Sequence, residues 1–244
     1  MKRRSNRHHS PEEFPSILAF QLDPLATLGF IESSVQSGRK RYALVSLMEA
    51  CNKKLLRSQS SLPVSNRQTV GEFIHSSPFQ KLVEVSMRKL GEMDSRKSRG
   101  DLERFTDTRY HELIRFEALI AYGLLRKWEN PGLIVGKLRS ATAHIEVYSA
   151  LVALDRHASL SHHCDLVAPH LHSEDVLVFS TALYYLQHYS EGQAIVHQFE
   201  RVLRKEPKTA LSSLKLEHIA ESRVPPKSRS AHPTVPYPTD NDVV

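Results

Sequence analysis

The twelve residues from Ser161 to His172, SHHCDLVAPHLH, bring together His162, His163, Cys164, His170 and His172. Imidazole and thiolate are the usual ligands of zinc, and a site needs several of them to converge on one ion. The three consecutive residues His162, His163 and Cys164 point in different directions on any single element. His170 and His172 share a side only where the chain is extended. Two ligands from the loop and two from the following turn could still meet, which makes these five the candidate metal ligands. With Asp165 added, the same stretch is a candidate centre for a metal-dependent hydrolase. Cys164 as a nucleophile would need a neighbouring imidazole or cation to hold its thiolate. Against these stands a polar interhelical loop, closed by Pro169 and by Ser173 as the cap of the next helix. That loop is the expectation.

Other catalytic signatures are missing or broken. HELIR, at His111–Arg115, begins like the H-E-x-x-H zinc protease motif, but Arg115 stands where the second histidine belongs. There is no G-x-x-x-x-G-K-[ST] phosphate loop, no G-x-G-x-x-G turn and no G-x-S-x-G elbow. The reading is therefore non-enzymatic, with no cofactor.

Basic residues carry a stronger pattern. The net charge is +6, and Lys2, Arg3, Arg4 and Arg7 stand in a stretch with no acid before Glu12. Such an arm is suited to releasing counterions from nucleic-acid phosphates. His197, Arg201, Lys205 and Lys208 recur every three or four residues, along one face of a helix whose other face is apolar. Arg201, Lys205 and Lys208 are the expected additional phosphate contacts. A charged helix face is otherwise simply solvated, and cations near a helix C-terminus are favoured by its dipole.

These groups need a scaffold, and the chain reads as helical. Nine Gly and thirteen Pro, five of the latter after residue 222, leave most of the chain poor in turn formers. Asp23-Pro24 predicts a short helix to about Ser34. Leu44, Met48, Cys51 and Leu55 share one helix face, which places Cys51 in the core rather than in chemistry. Phe79, Val83, Met87 and Leu90 mark another helix, which the polar DSRKSRG ends. The longest helix is expected from Asp101 to Glu129, on Leu113, Phe116, Ile120, Leu124 and Trp128. A further one spans Leu133–Arg156. Others follow from Val176, with Ser173 as its N-cap, from Ile195 to Val202 after a turn at HYSEGQ, and over Lys208–Glu221. The segment ALYYLQHYSEGQAIVHQFERVLRKEP resembles one helix–turn–helix unit of a tetratricopeptide repeat, with Tyr189, Phe199 and Pro207 standing in for parts of that motif. It has no second copy at a ~34-residue period and is read as an α-hairpin.

The expected architecture is all-α: a disordered basic arm over 1–10, a compact domain of seven to nine helices over 11–222, and a disordered tail over 223–244. Two cysteines build no disulfide framework, and no apolar run has the ~18 residues of a membrane span. No secretory leader is visible, so the chain is expected inside the cell, cytoplasmic or nuclear, with no membrane partner. The expected function is that of a helical binding protein contacting RNA or DNA through its arm, of the kind found among small viral or accessory regulatory proteins. The alternatives are a protein–protein adaptor without nucleic acid and, third, the metal-dependent hydrolase.

Overall fold

The computed structural model describes residues 37–58, 79–125, 131–157, 163–205 and 209–222, together with Gly29, Val70 and Gly71. Among them are ten α-helices and no strand: α1 (Ser37–Ser58), α2 (Gln80–Glu92), α3 (Arg96–Phe105), α4 (Glu112–Tyr122), α5 (Gly132–Ser140), α6 (His144–Arg156), α7 (Cys164–Val167), α8 (Val176–Gln187), α9 (Ser190–Leu203) and α10 (Ala210–Ser222). A 3-10 turn, Ala168–His172, joins α7 to the approach of α8. The all-α expectation holds, with one helix more than the upper count. The arm, the tail, Trp128 and, apart from the helical Gly29, the Asp23–Ser34 helix lie outside the described residues.

Two helices form the centre. In α4 every residue from Leu113 to Tyr122 except Arg115 is buried. In α6 the run Val147–Leu154 is buried without interruption. A helix apolar on all sides must be surrounded. Accordingly α4 packs on α2, α3 and α6, while α6 packs on α4, α5 and α8. Two glycines permit close approaches to α4. A Cβ on Gly91 would lie 2.5 Å from the Ala121 carbonyl oxygen, and one on Gly123 would lie 2.4 Å from that of Ala153. The α2–α4 and α4–α6 contacts thus depend on the absence of a side chain.

Two breaks and the short α7 raise the count. The expected Asp101–Glu129 helix ends at Phe105, turns through Thr106–Tyr110 and restarts as α4. Local side chains capture the backbone there. Thr106 Oγ1 donates to the Glu103 carbonyl, and Asp107 Oδ1 accepts from the Arg109 N–H. Short polar side chains compete with helix hydrogen bonds in this way. His111 then caps α4, its Nδ1 accepting the Leu113 N–H at 3.1 Å. The expected Leu133–Arg156 helix breaks likewise, at Ala141–Ala143, where Thr142 N–H donates to Glu146.

α2 ends at Glu92, just before DSRKSRG, as expected, and the same stretch also begins a helix. Ser95 and Ser98 form a reciprocal capping box that starts α3. The cap of α8 is Asp175, which accepts from Leu177 and Val178 N–H; the Ser173 hydroxyl instead accepts from Asp175 N–H. The α-hairpin of α8 and α9 is present, its turn made by His188 and Tyr189 alone. Cys51 is fully buried, as expected. No helix among the described residues is long and apolar enough to cross a membrane.

Candidate nucleic-acid interface

Helix α1 has 22 residues, about 33 Å at 1.5 Å per residue. Its six Lys and Arg stand against one Glu. Burial of Ala43, Leu44, Leu47, Met48, Cys51 and Leu55 sets its orientation. That orientation leaves Arg39, Tyr42, Lys53, Leu56 and Arg57 exposed along the opposite face.

Helix α3 lies beside it. Arg41 Nε donates to Asp101 Oδ2 at 2.6 Å, and Arg104 reaches Glu49 at 3.2 Å. The Tyr110 hydroxyl donates to the same Glu49 at 3.0 Å. These contacts advance in the same direction along both helices, so their N-terminal turns lie toward the same end. That end carries Arg39 on α1 with Arg96 and Lys97 on the first turn of α3. All three are exposed, and none makes an ion pair among the described residues. Neither helix has an acid in its first turn. Cations there oppose the helix dipole, at about 0.3–1 kcal/mol each, and add to its positive potential. An anionic partner would relieve both.

Charge is segregated on the scale of the whole described structure. The described residues between 37 and 109 hold 14 Lys and Arg against 7 Asp and Glu, while those between 110 and 222 hold 8 against 11. Positive potential is thus gathered on α1–α3.

Of the residues expected to touch phosphates, Lys2, Arg3, Arg4, Arg7 and Lys208 lie outside the described residues. Arg201 and Lys205 are exposed on or just after α9, with no ion pair among the described residues. Their neighbour Arg204 is paired with Glu200 at 2.7 Å. Helix α9 packs on α8, α10 and the 3-10 turn, whereas α1 packs on α2. Arg39, Arg96 and Lys97 were not singled out from the sequence. Their signal is the pair of clusters RKR (Arg39–Arg41) and RKSR (Arg96–Arg99), which helix spacing alone does not place together.

The histidine-rich stretch is a short helix and a 3-10 turn rather than a loop. His163 N–H donates to the Tyr185 hydroxyl. Cys164 is buried, and that burial raises its thiol pKa. His170 is half-buried and held below the ordinary imidazole range by desolvation. His172 is exposed, its ring edge-on to Phe199 at 5.0 Å. Asp165 is exposed. Among the described residues no three His, Cys, Asp or Glu converge as metal ligands, and His162 lies outside them.

The most perturbed carboxyl lies elsewhere. Glu117, on α4, is 2% exposed, and its pKa is pushed up to about 8 by burial and by the charge of Glu84. Gln80 Nε2 donates to its Oε1 at 2.7 Å, and Arg156 and Arg88 also oppose the rise. The cavity beside it, about 60 Å³, is lined by Glu84, Arg88 and Arg156. At about 10–15 Å³ of such space per water it has room for a few waters.

No family model, no curated protein and no solved structure matches this chain.

Proposed function

We propose that this protein is a non-enzymatic helical nucleic-acid-binding protein, and that α1 and α3 present the surface its basic arm extends. The observation that supports this reading is the exposed group Arg39, Arg96 and Lys97 at the shared end of two helices, within the basic part of the described structure. Lys2, Arg3, Arg4 and Arg7 add phosphate contacts from the arm, and Arg201, Lys205 and Lys208 form a secondary basic stripe. The mechanism is release of condensed counterions, which depends on charge and not on base sequence. Tyr42, 54% exposed on α1 beneath the Arg41 guanidinium, offers a flat face on which an unpaired base could stack.

The test is a salt series of binding to duplex DNA, duplex RNA and single strands. The full chain is compared with two full-length variants. One carries Arg39→Gln, Arg96→Gln and Lys97→Gln; the other has glutamine at the four arm cations. Affinity is expected to fall linearly on logarithmic axes with salt. On duplex DNA, each phosphate that a variant no longer neutralises should lower that slope by about 0.9. Absence of binding at low salt, or binding insensitive to both variants, refutes the reading.

A further inference from the structure

A second feature of the molecule is unrelated to the basic surface. A cavity of about 270 Å³ opens between α4, α5 and α6, under the Thr106–Tyr110 turn. Its volume falls just below the ~300 Å³ at which pockets for drug-sized ligands begin, so a molecule that fits it is small.

The floor is apolar, made by Phe116 and Leu119 of α4 and Ile145 of α6. Four charges line the wall: Arg115, Lys137, Glu112 and Glu146. Their pairing is loose. Arg115 stands 3.4 Å from Glu146 and 3.7 Å from Glu112. The well-made pairs of the same molecule, Arg41–Asp101 and Arg204–Glu200, close to 2.6 and 2.7 Å. Charge-assisted bonds ordinarily close to about 2.7–2.9 Å. Arg115 Nε is buried with no hydrogen-bond partner. Lys137 spends one proton on the Thr106 carbonyl at 2.9 Å, leaving two of its three donors.

Three of the five hydroxyls lining the cleft are already committed as donors. Thr106, Ser140 and Ser149 each donate to a carbonyl three residues earlier. The charged donors of the cleft are Arg115 and Lys137, its charged acceptors are Glu112 and Glu146, and the Thr108 and Thr142 hydroxyls are the remaining neutral groups. A ligand bearing only negative charge would meet Glu112 and Glu146, and one bearing only positive charge would meet Arg115 and Lys137. A ligand carrying both satisfies both pairs.

We infer that this cleft binds a small zwitterion with an apolar side chain, an α-amino acid by chemical class. Its carboxylate engages Arg115 and Lys137, its ammonium engages Glu112 and Glu146, and its side chain covers Phe116, Leu119 and Ile145.

The experiment is titration of the full chain with L-leucine, N-acetyl-L-leucine, L-leucinamide and inorganic phosphate, followed by calorimetry and by amide chemical shifts. L-leucine is expected to bind saturably, with shifts centred on α4–α6. The two blocked forms, each lacking one charge, are expected to bind at least about tenfold more weakly. Arg115→Gln and Glu146→Gln should each weaken L-leucine to a similar degree. If L-leucine does not saturate, if the blocked forms match it, or if phosphate binds and L-leucine does not, the inference is overturned. Should either variant fail to fold, comparison of the three leucine compounds on the wild-type chain decides alone.

Discussion

Asp175 accepts the backbone N–H of Val70 at 2.9 Å, across 105 residues of sequence. The same carboxylate, 5% exposed, caps α8 through Leu177 and Val178. One side chain thus satisfies the start of a helix and the backbone of a distant segment. Asp175→Ala removes a cap, at about 1 kcal/mol. It also strands the buried Val70 N–H, at about 1–3 kcal/mol. Chemical denaturation should show a loss of at least about 2 kcal/mol, and Asp175→Asn, which keeps an acceptor oxygen, should lose clearly less. Equal losses for the two variants would deny that hydrogen bonding is the cause.

Glu117 makes stability fall as pH rises. Its carboxyl titrates near 8 in the folded chain against an ordinary value of 4.5, so across that interval the folded state keeps a proton the unfolded state has released. Its contribution is full below pH 4.5 and is lost as pH rises through 8. His111 acts oppositely. Burial, with Arg115 nearby, lowers it from 6.5 to about 4, which keeps Nδ1 free to accept from Leu113. Its contribution is full above pH 6.5 and is lost as pH falls through 4. Between pH 4.5 and 6.5 the two oppose each other, and from 6.5 to 8 Glu117 acts without His111. Denaturation midpoints should decline over that upper window in the wild type and stay flat in Glu117→Gln. A decline of the same size in the variant would assign the effect to another group.

Glycines separate packing from propensity. Gly123→Ala places a methyl 2.4 Å from the Ala153 carbonyl oxygen and should cost about 1–3 kcal/mol by forcing α4 and α6 apart. Gly136, within α5, has nothing within 4 Å of its Cβ position. Gly136→Ala should therefore raise stability by about 0.5–1 kcal/mol through helix propensity alone. Thermal melts of both variants check the pair, and a stabilised Gly123→Ala would show that the helices can separate at no cost.

Both cysteines are predicted to be silent. Cys51 is fully buried, with its thiol pushed up to about 12, and Cys164 is 2% exposed with its thiol also raised, both first of all by desolvation. A thiol-reactive chromophore should label neither in the native protein at neutral pH and both in denaturant. Rapid native labelling of Cys164 would revive it as a candidate nucleophile.

The helical nature of the chain was legible because it rests on local periodicity. Leu44, Met48, Cys51 and Leu55 are buried as their spacing demands, and the α8–α9 hairpin stands where its pattern placed it. Helix ends were less legible. Thr106, Asp107 and His111 lie inside an apolar rhythm that continues from Leu102 to Ile120, and periodicity does not register side chains that turn back on the backbone. Ser173 was legible as the cap of α8, but Asp175 takes that place, and its capping accompanies its bond to Val70.

Composition and the arm's charge were readable from the sequence by itself, because they require no neighbours. What only the tertiary structure decided was which charges meet. Arg41 and Asp101 are 60 residues apart, and their pairing sets α1 beside α3 and leaves Arg39, Arg96 and Lys97 toward one end. Arg115, the residue that breaks a zinc motif in the sequence, becomes one of two cations lining a cleft built by three helices. Glu117 becomes a carboxyl that holds its proton, because the core closes around it. Each outcome depends on desolvation and on partners distant in sequence, and neither is encoded in the spacing of residues along one helix.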